Sequence, residues 1–241
     1  MQPGAAIVAN SQLVAAALSA RYGLPAERIR VLYPGYCSRR FTRERAAALR
    51  AAARHTLGVP REAPLVGFVT SGDFAKRGLD VFLDCAARIA AQRPDARFLV
   101  VGSKRLPEWA RATALVRSGV VHHRPKARNP EPWFAALDLF LYAARYEEFG
   151  IVLAEAQAMG VPVLTSRLVG ASECLPAAYA PWLVAKPEAE PLAAMAVTLL
   201  ADGPLRQQLA EAAARSITGF DERAYAAGTI ELIAAQKRRL K

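Results

Sequence analysis

Short, continuous apolar runs alternate along the chain with stretches whose apolar residues recur at helical spacing. Residues 65–70 read as a buried strand between Pro64 and a Ser-Gly-Asp turn. Residues 79–91 follow as a helix with Val81, Phe82, Cys85 and Ile89 along one side. The alternation continues with strands over 98–102, 119–122, 139–142 and 161–165, separated by helices over 109–116, 132–136 and 151–159. A sixth strand over 180–184 and helices over 191–200 and 205–217 complete the series. Strands that are apolar at every position are covered on both faces, so the pattern predicts an α/β fold with a doubly wound parallel sheet. Ligands of such sheets bind beyond the carboxyl ends of the strands, just after Thr70, Gly102, His122, Tyr142 and Thr165.

The two ends differ from this body. A short strand over 6–9 precedes a helix capped by Asn10 or Ser11 and ending near Gly23; a strand over 29–32 then leads into a Tyr33-Pro34-Gly35 turn. A last helix over 222–240 finishes in Lys237-Arg238-Arg239-Leu240-Lys241.

Composition narrows the class. With 53% hydrophobic and 22% charged residues in 241, the chain can bury a sizeable core. The charge-free stretch 1–20 is interrupted by Pro3, Gly4, Asn10, Ser11 and Gln12 and is mostly alanine, which argues against a membrane span or a signal peptide. Three widely spaced cysteines (Cys37, Cys85, Cys174) without a C-x-x-C pair fit a reducing, cytoplasmic setting and neither a disulfide scaffold nor a zinc site. The net charge of +11 favours polyanionic partners: nucleic acid, an anionic membrane surface or phosphorylated substrates. No nucleic-acid motif or aromatic-interleaved basic stripe accompanies it, so nucleic acid is not an expected partner.

The chemistry concentrates in residues 146–156, Tyr-Glu-Glu-Phe-Gly-Ile-Val-Leu-Ala-Glu-Ala, which follow the fourth strand and open a helix. Gly150 lets a ligand approach the backbone, and the N–H groups of a first helical turn suit an anion such as a diphosphate. Glu147 lies in the loop and Glu155 more than a turn into the helix, so one acid can meet a sugar and the other a ribose. On spacing alone, two solvent-facing acids that complement the helix dipole explain the pattern equally well.

The stretch from Glu147 through Phe149, Gly150, Glu155, Ala156, Gly160 and Pro162 to Val163 resembles the E-x7-E signature of glycosyltransferase family 4. Asn10-Ser11 and residues 28–35 resemble that family's last N-domain segment and interdomain linker. Residues 71–80 with 150–153 are most similar to the lipopolysaccharide core glucosyltransferases. The resemblance implies the Rossmann-like C-terminal half of a GT-B fold. Residues 1–34 would be a remnant of the N-terminal acceptor domain and linker, 35–220 the nucleotide-sugar-binding domain and 221–241 a C-terminal helix with a basic tail. It further implies a transferase that moves a sugar, with retention, from a UDP-sugar to a glycan or lipid-linked, lipopolysaccharide-type acceptor, without a metal or other cofactor. Glu147 would bond donor-sugar hydroxyls, Glu155 the ribose, and the Gly150, Ile151 and Val152 amides the diphosphate, within the Phe149 motif.

A basic residue before Gly78 would neutralise the leaving diphosphate; the family usually has lysine there, whereas this chain has Arg77 preceded by Lys76. Gly72 stands where many members carry an arginine. Arg124, Pro125 and Lys126 would line the base pocket near His122 and His123, or form a plain basic loop, and residues 170–173 would touch sugar or phosphate. Asp138 reads as a structural pair or cap, Cys174 as a small buried residue, and Trp133 and Phe134 as core. A missing N-terminal domain or partner chain follows from the same resemblance. The alternative is a non-catalytic nucleotide-sugar-binding module or truncated, inactive transferase. The basic tail implies peripheral contact with an anionic inner-membrane surface, or simply a solvated helix end.

Overall fold

The computed structural model describes residues 7–239. Ala6 of the first expected strand, and Leu240 and Lys241 of the basic tail, lie outside the described residues. The chain starts with β1 (Ile7–Ala9), α1 (Gln12–Tyr22) and β2 (Ile29–Val31), with β1 and β2 paired in parallel as a separate two-stranded sheet. Ser11 caps α1 by accepting the Val14 N–H, and Gly23 ends it in the left-handed conformation. No residue of α1 is buried, and Val8 and Tyr22 are exposed.

The body is a six-stranded, wholly parallel sheet: β3 (Leu65–Val69), β4 (Arg97–Gly102), β5 (Val121–Pro125), β6 (Leu139–Tyr142), β7 (Val163–Ser166) and β8 (Leu183–Val184), in spatial order β5-β4-β3-β6-β7-β8. Every residue of β3, β6 and β7 is buried, which accounts for the unbroken apolar sequences of β3 and β6; β7 buries Thr165 and Ser166 beside Val163 and Leu164. α2 (Arg43–Leu57), α3 (Leu79–Gln92), α4 (Glu108–Arg111), α5 (Ala114–Arg117), α6 (Glu131–Ala136), α7 (Ile151–Ala158), α8 (Ala189–Ala201) and α9 (Gly203–Ile217) connect or follow these strands. α3 buries Leu79, Phe82, Leu83, Cys85, Ala86 and Ile89, and packs against α8. The chain order reverses between β3 and β6, so the loops after these two strands open a crevice at the carboxyl edge.

α2 has no counterpart among the helices read from the sequence. Its surface is mostly alanine and arginine, and only Ala53, Arg54 and Leu57 are buried. Arg54 is buried at 4% exposure; its two terminal nitrogens donate to the Ala136, Pro60 and Ala63 carbonyls and to Asp138, while its Nε has no partner. Asp138 also accepts Arg50 and the Leu65 N–H, joining α2 to β3 and β6 as the structural pair expected of it.

Other boundaries shifted for identifiable reasons. The single helix over 109–116 is two short ones because Thr113 is extended and bonds back to Ala110. β5 begins at Val121 after a turn at Gly119 and runs to Pro125, paired with β4 along its length. β8 shrinks to two residues because Pro181 sits in a 3-10 stretch, Ala177–Trp182, before it. α10 (Glu222–Arg239) closes the chain, its first carboxylate accepting the Ser38 N–H at 2.6 Å and the Ser38 hydroxyl at 3.2 Å. Among the described residues no helix is long and apolar enough to cross a membrane.

Candidate functional site

The loops leaving β3 and β6 cross at Gly78 and Ala143. Gly78 has φ +75°, and a Cβ there would come 1.9 Å from the Ala143 carbonyl oxygen, so only glycine allows this approach. The crossing is fastened by the Arg145 N–H to the Lys76 carbonyl at 3.2 Å and by the Arg145 guanidinium to the Ala75 carbonyl and Asp80. It decides which basic residue faces the crevice. Arg77 reaches Glu147 Oε2 at 2.6 Å and donates to the Tyr146 carbonyl at 3.1 Å. Lys76 instead points outward and pairs with exposed Glu148 at 3.0 Å. Gly72 lies against Arg77: a Cβ at 72 would be 3.1 Å from the Arg77 Nε, so the missing side chain leaves the guanidinium its place.

Glu147 is 9% exposed and its Oε2 also accepts the Tyr142 hydroxyl at 2.8 Å. Burial raises its pKa above the ordinary range, with Tyr142 and Arg77 opposing. Its backbone is pinned to the 168–170 loop, N–H to Leu168 carbonyl and carbonyl to Gly170 N–H. Gly150 caps α7 at φ +92°, where a Cβ would press within 2.9 Å of Glu147 Cγ. The Phe149 ring is 3% exposed and packs 6.0 Å from the Tyr33 ring. The Phe149 side chain, named with the donor-binding motif, is thus part of the core.

A cavity of about 180 Å³ opens beside the start of α7. Ile151, Val152 and Glu155 line one side, Thr70 and Ser71 follow β3, and Arg40, Lys126 and Arg128 supply positive charge. Glu155 is half-buried, and burial pushes its pKa up to about 7, with Arg40 opposing and Glu131 adding to the rise. Larger hollows of about 610 and 680 Å³ surround Arg50 near α2 and α9, but they lie by the amino ends of β3 and β6, where Asp138 joins α2 to the sheet. Chemistry, not volume, singles out the smaller cavity.

Arg124 does not line that cavity. It donates to the Thr56 carbonyl at the end of α2 and to the carbonyl of the preceding His123, whereas Lys126, expected beside it, and Arg128 do line the cavity. Burial lowers the pKa of both His122 and His123, which favours neutral rings, and His123 Nε2 lies 3.0 Å from the Ser103 carbonyl. No group of three or more His, Cys, Asp or Glu among the described residues could hold a metal ion. In the 170–173 loop, Glu173 accepts the Gln12 and Leu13 N–H groups, both at 2.8 Å, and the Tyr33 hydroxyl at 3.0 Å. That carboxylate holds the start of α1 against the body. Cys174 and Phe134 are buried and Trp133 is half-buried.

Sequence reasoning missed Tyr142, Arg40 and Glu131. Tyr142 was read only as an apolar strand residue. Arg40 and Glu131 are 91 positions apart, in a segment without periodic pattern and at the start of a short helix, so no local signal joins them.

A family model described as "Glycosyl transferases group 1" matches residues 63–202. The D-inositol 3-phosphate glycosyltransferase of Arthrobacter sp. (strain FB24) is 30% identical over 234 residues, covering 93% of this chain and 54% of that protein. That of Thermobispora bispora is 34% identical over 177 residues, 68% of this chain and 40% of that protein. The chain thus spans about half the length, or less, of the curated relatives it matches. Among solved structures, WaaG, a glycosyltransferase involved in lipopolysaccharide biosynthesis, superposes with a TM-score of 0.77 at 27% identity, covering 90% of this chain and 61% of that one. Anabaena Alr3699/HepE in complex with UDP-glucose matches with a TM-score of 0.79 at 23% identity over 96% of this chain and 64% of that one, which shows a shared fold.

Proposed function

The chain belongs to the group 1 glycosyl transferases, and from that premise we propose that it supplies the donor site for moving a sugar from a UDP-sugar to a hydroxyl-bearing glycan or lipid-linked acceptor. The observation that carries this reading is the Arg77–Glu147–Tyr142 cluster standing beside the α7 amino end and the Glu155 cavity. The ribose hydroxyls bond Glu155, while the diphosphate meets the first-turn amides of Ile151 and Val152. Glu147 accepts hydroxyls of the sugar. As the bond from the anomeric carbon to the diphosphate oxygen breaks and the bond to the acceptor oxygen forms, negative charge grows on the leaving diphosphate, which takes up the proton that the acceptor hydroxyl loses. Arg77 is placed to balance that charge and is held in position by the carboxylate it already pairs with. The reading uses this arginine and the helix amides for charge balance, with no metal in the scheme, and retention at the anomeric carbon belongs to it.

WaaG, at 27% identity, favours a lipopolysaccharide-type acceptor. The inositol phosphate glycosyltransferases, at 30% and 34% identity, offer a phosphorylated cyclitol instead. The acceptor side of the reaction is assigned to a further domain or partner chain meeting the α1–β1–β2 segment, where Val8 and Tyr22 are exposed. Work at a membrane-linked acceptor would set the chain at the cytoplasmic face of a membrane.

Calorimetric titration of UDP and UDP-glucose tests the reading. Wild type binds both; Arg77→Ala weakens both; Glu147→Gln keeps UDP but loses the difference between UDP and UDP-glucose. A folded wild-type chain that binds neither UDP nor UDP-glucose refutes the donor-site assignment. Binding without transfer, even with an acceptor half supplied, favours the non-catalytic module.

A further inference from the structure

The cavity beside α7 has one wall that comes from neither the sheet nor its own loops. Arg40 leaves the turn after β2, and its Nε and one terminal nitrogen each meet a Glu131 oxygen at 2.9 Å. This two-pronged pair is the strongest geometry open to arginine and carboxylate. The same terminal nitrogen donates to the Arg128 carbonyl at 2.9 Å and to Asn129 Oδ1 at 3.3 Å. The guanidinium also lies 5.4 Å from the centroid of Phe41, whose ring packs edge-on to Phe134 in the core.

Glu131 is 1% exposed, so its charge would be costly without a partner. Burial alone would raise its pKa; the Arg40 pair, with a backbone hydrogen bond and Arg45 at 3.8 Å adding to it, outweighs that and holds it below the ordinary range. The buried acid therefore fixes the arginine, and the arginine fixes the rim at Arg128 and Asn129.

Resting on the donor-site reading above, we propose that Arg40 is a positioning residue of the pocket: gripped by Glu131, it carries the 128–129 rim against the nucleotide and presents positive charge to Glu155. Donor affinity then depends on the turn that joins the α1–β1–β2 segment to the body. The charged groups facing Glu155 are Arg40 and Glu131, with Lys126 and Arg128 lining the same cavity. Of the two that act on its titration, Arg40 favours the ionised carboxylate, the form able to accept both ribose hydroxyls, and Glu131 opposes it. A rim device alone would change affinity equally at all pH values. A residue that also supports the Glu155 charge shifts the pH at which affinity is gained.

The test is titration of UDP into wild type, Arg40→Gln, Arg40→Lys, Glu155→Gln and the Arg40→Gln/Glu155→Gln pair between pH 6 and 9. In wild type, affinity rises with pH through about 7. In Arg40→Gln the rise moves to higher pH, so binding at pH 7 is weakened about tenfold and the deficit shrinks towards pH 9. Arg40→Lys keeps the wild-type pH profile but binds less tightly overall, because it lacks the fork that holds the rim. With Glu155→Gln in place, Arg40→Gln costs less than it does alone. Wild-type affinity and profile in a folded Arg40→Gln chain overturn the proposal and leave the donor site standing. So does an equal, pH-independent loss with and without Glu155. Should Arg40→Gln not fold, a shifted profile in Arg40→Lys overturns it. A wild-type chain that binds no nucleotide removes the donor reading and this proposal together.

Discussion

Replacing Glu155 with glutamine should make the unliganded protein more stable while weakening its hold on the nucleotide. Burial raises the Glu155 carboxyl from its ordinary 4.5 to about 7, so the folded chain keeps its proton where the unfolded chain has lost it. The sign follows: between pH 4.5 and 7 the folded state binds more protons, and stability falls as pH rises through that window, then levels above it. The full difference corresponds to about 3 kcal/mol. Because Glu155 is only half-buried, water relaxes part of it, leaving about 1–2 kcal/mol. Glutamine has nearly the same shape and does not titrate. Urea unfolding followed by circular dichroism at pH 5 and pH 8.5 should therefore show Glu155→Gln close to wild type at the lower pH and about 1–2 kcal/mol more stable at the higher. In a chain of this size that is a rise in Tm of about 3–6 °C. An equal effect at both pH values, or a less stable variant at pH 8.5, would refute the reasoning. It would mean that Arg40 outweighs burial at this carboxylate and that the acid is not held against burial for the sake of a ligand.

Two further outcomes follow from the geometry. Arg54→Ala should cost about 3–5 kcal/mol in urea unfolding, because it removes the buried partner of Asp138 and leaves the Ala136, Pro60 and Ala63 carbonyls short of a donor. Gly72→Ala should change stability by no more than about 0.5 kcal/mol, since the crowded atom is the far end of a flexible side chain. It should nevertheless weaken UDP binding about tenfold in calorimetry by displacing the Arg77 guanidinium; unchanged affinity would show that Arg77 is not poised over the diphosphate.

The reading of the sequence was strongest where the physics is local. β3 and β6 are buried on both faces, so their burial is written as unbroken apolar runs, and the parallel α/β class follows. Glu147, Gly150 and Glu155 were found together because a loop, a glycine and a first helical turn lie within nine residues. α2 escaped because alanines and arginines give it little large apolar surface, and its buried Arg54 is paid for by carbonyls on other elements. The reach of β5 was set by its pairing with β4, a partner twenty-odd residues away that no local pattern specifies.

What the sequence by itself determined is thus the fold class, the family and the helix terminus around which the chemistry is arranged. Each is carried by short-range periodicity or a contiguous motif. The tertiary structure alone decided which cation pairs with Glu147 beside that terminus. Lys76 and Arg77 are neighbours with the same charge, and only the crossing of two loops at Gly78 and Ala143 turns Arg77 inward to Glu147 and leaves Lys76 on the surface with Glu148. It likewise decided that Phe149 is core, that Arg124 faces α2, and that Arg40 joins Glu131 across 91 positions. The direction of a side chain depends on which backbone lies opposite it, and that is fixed only when distant strands pair.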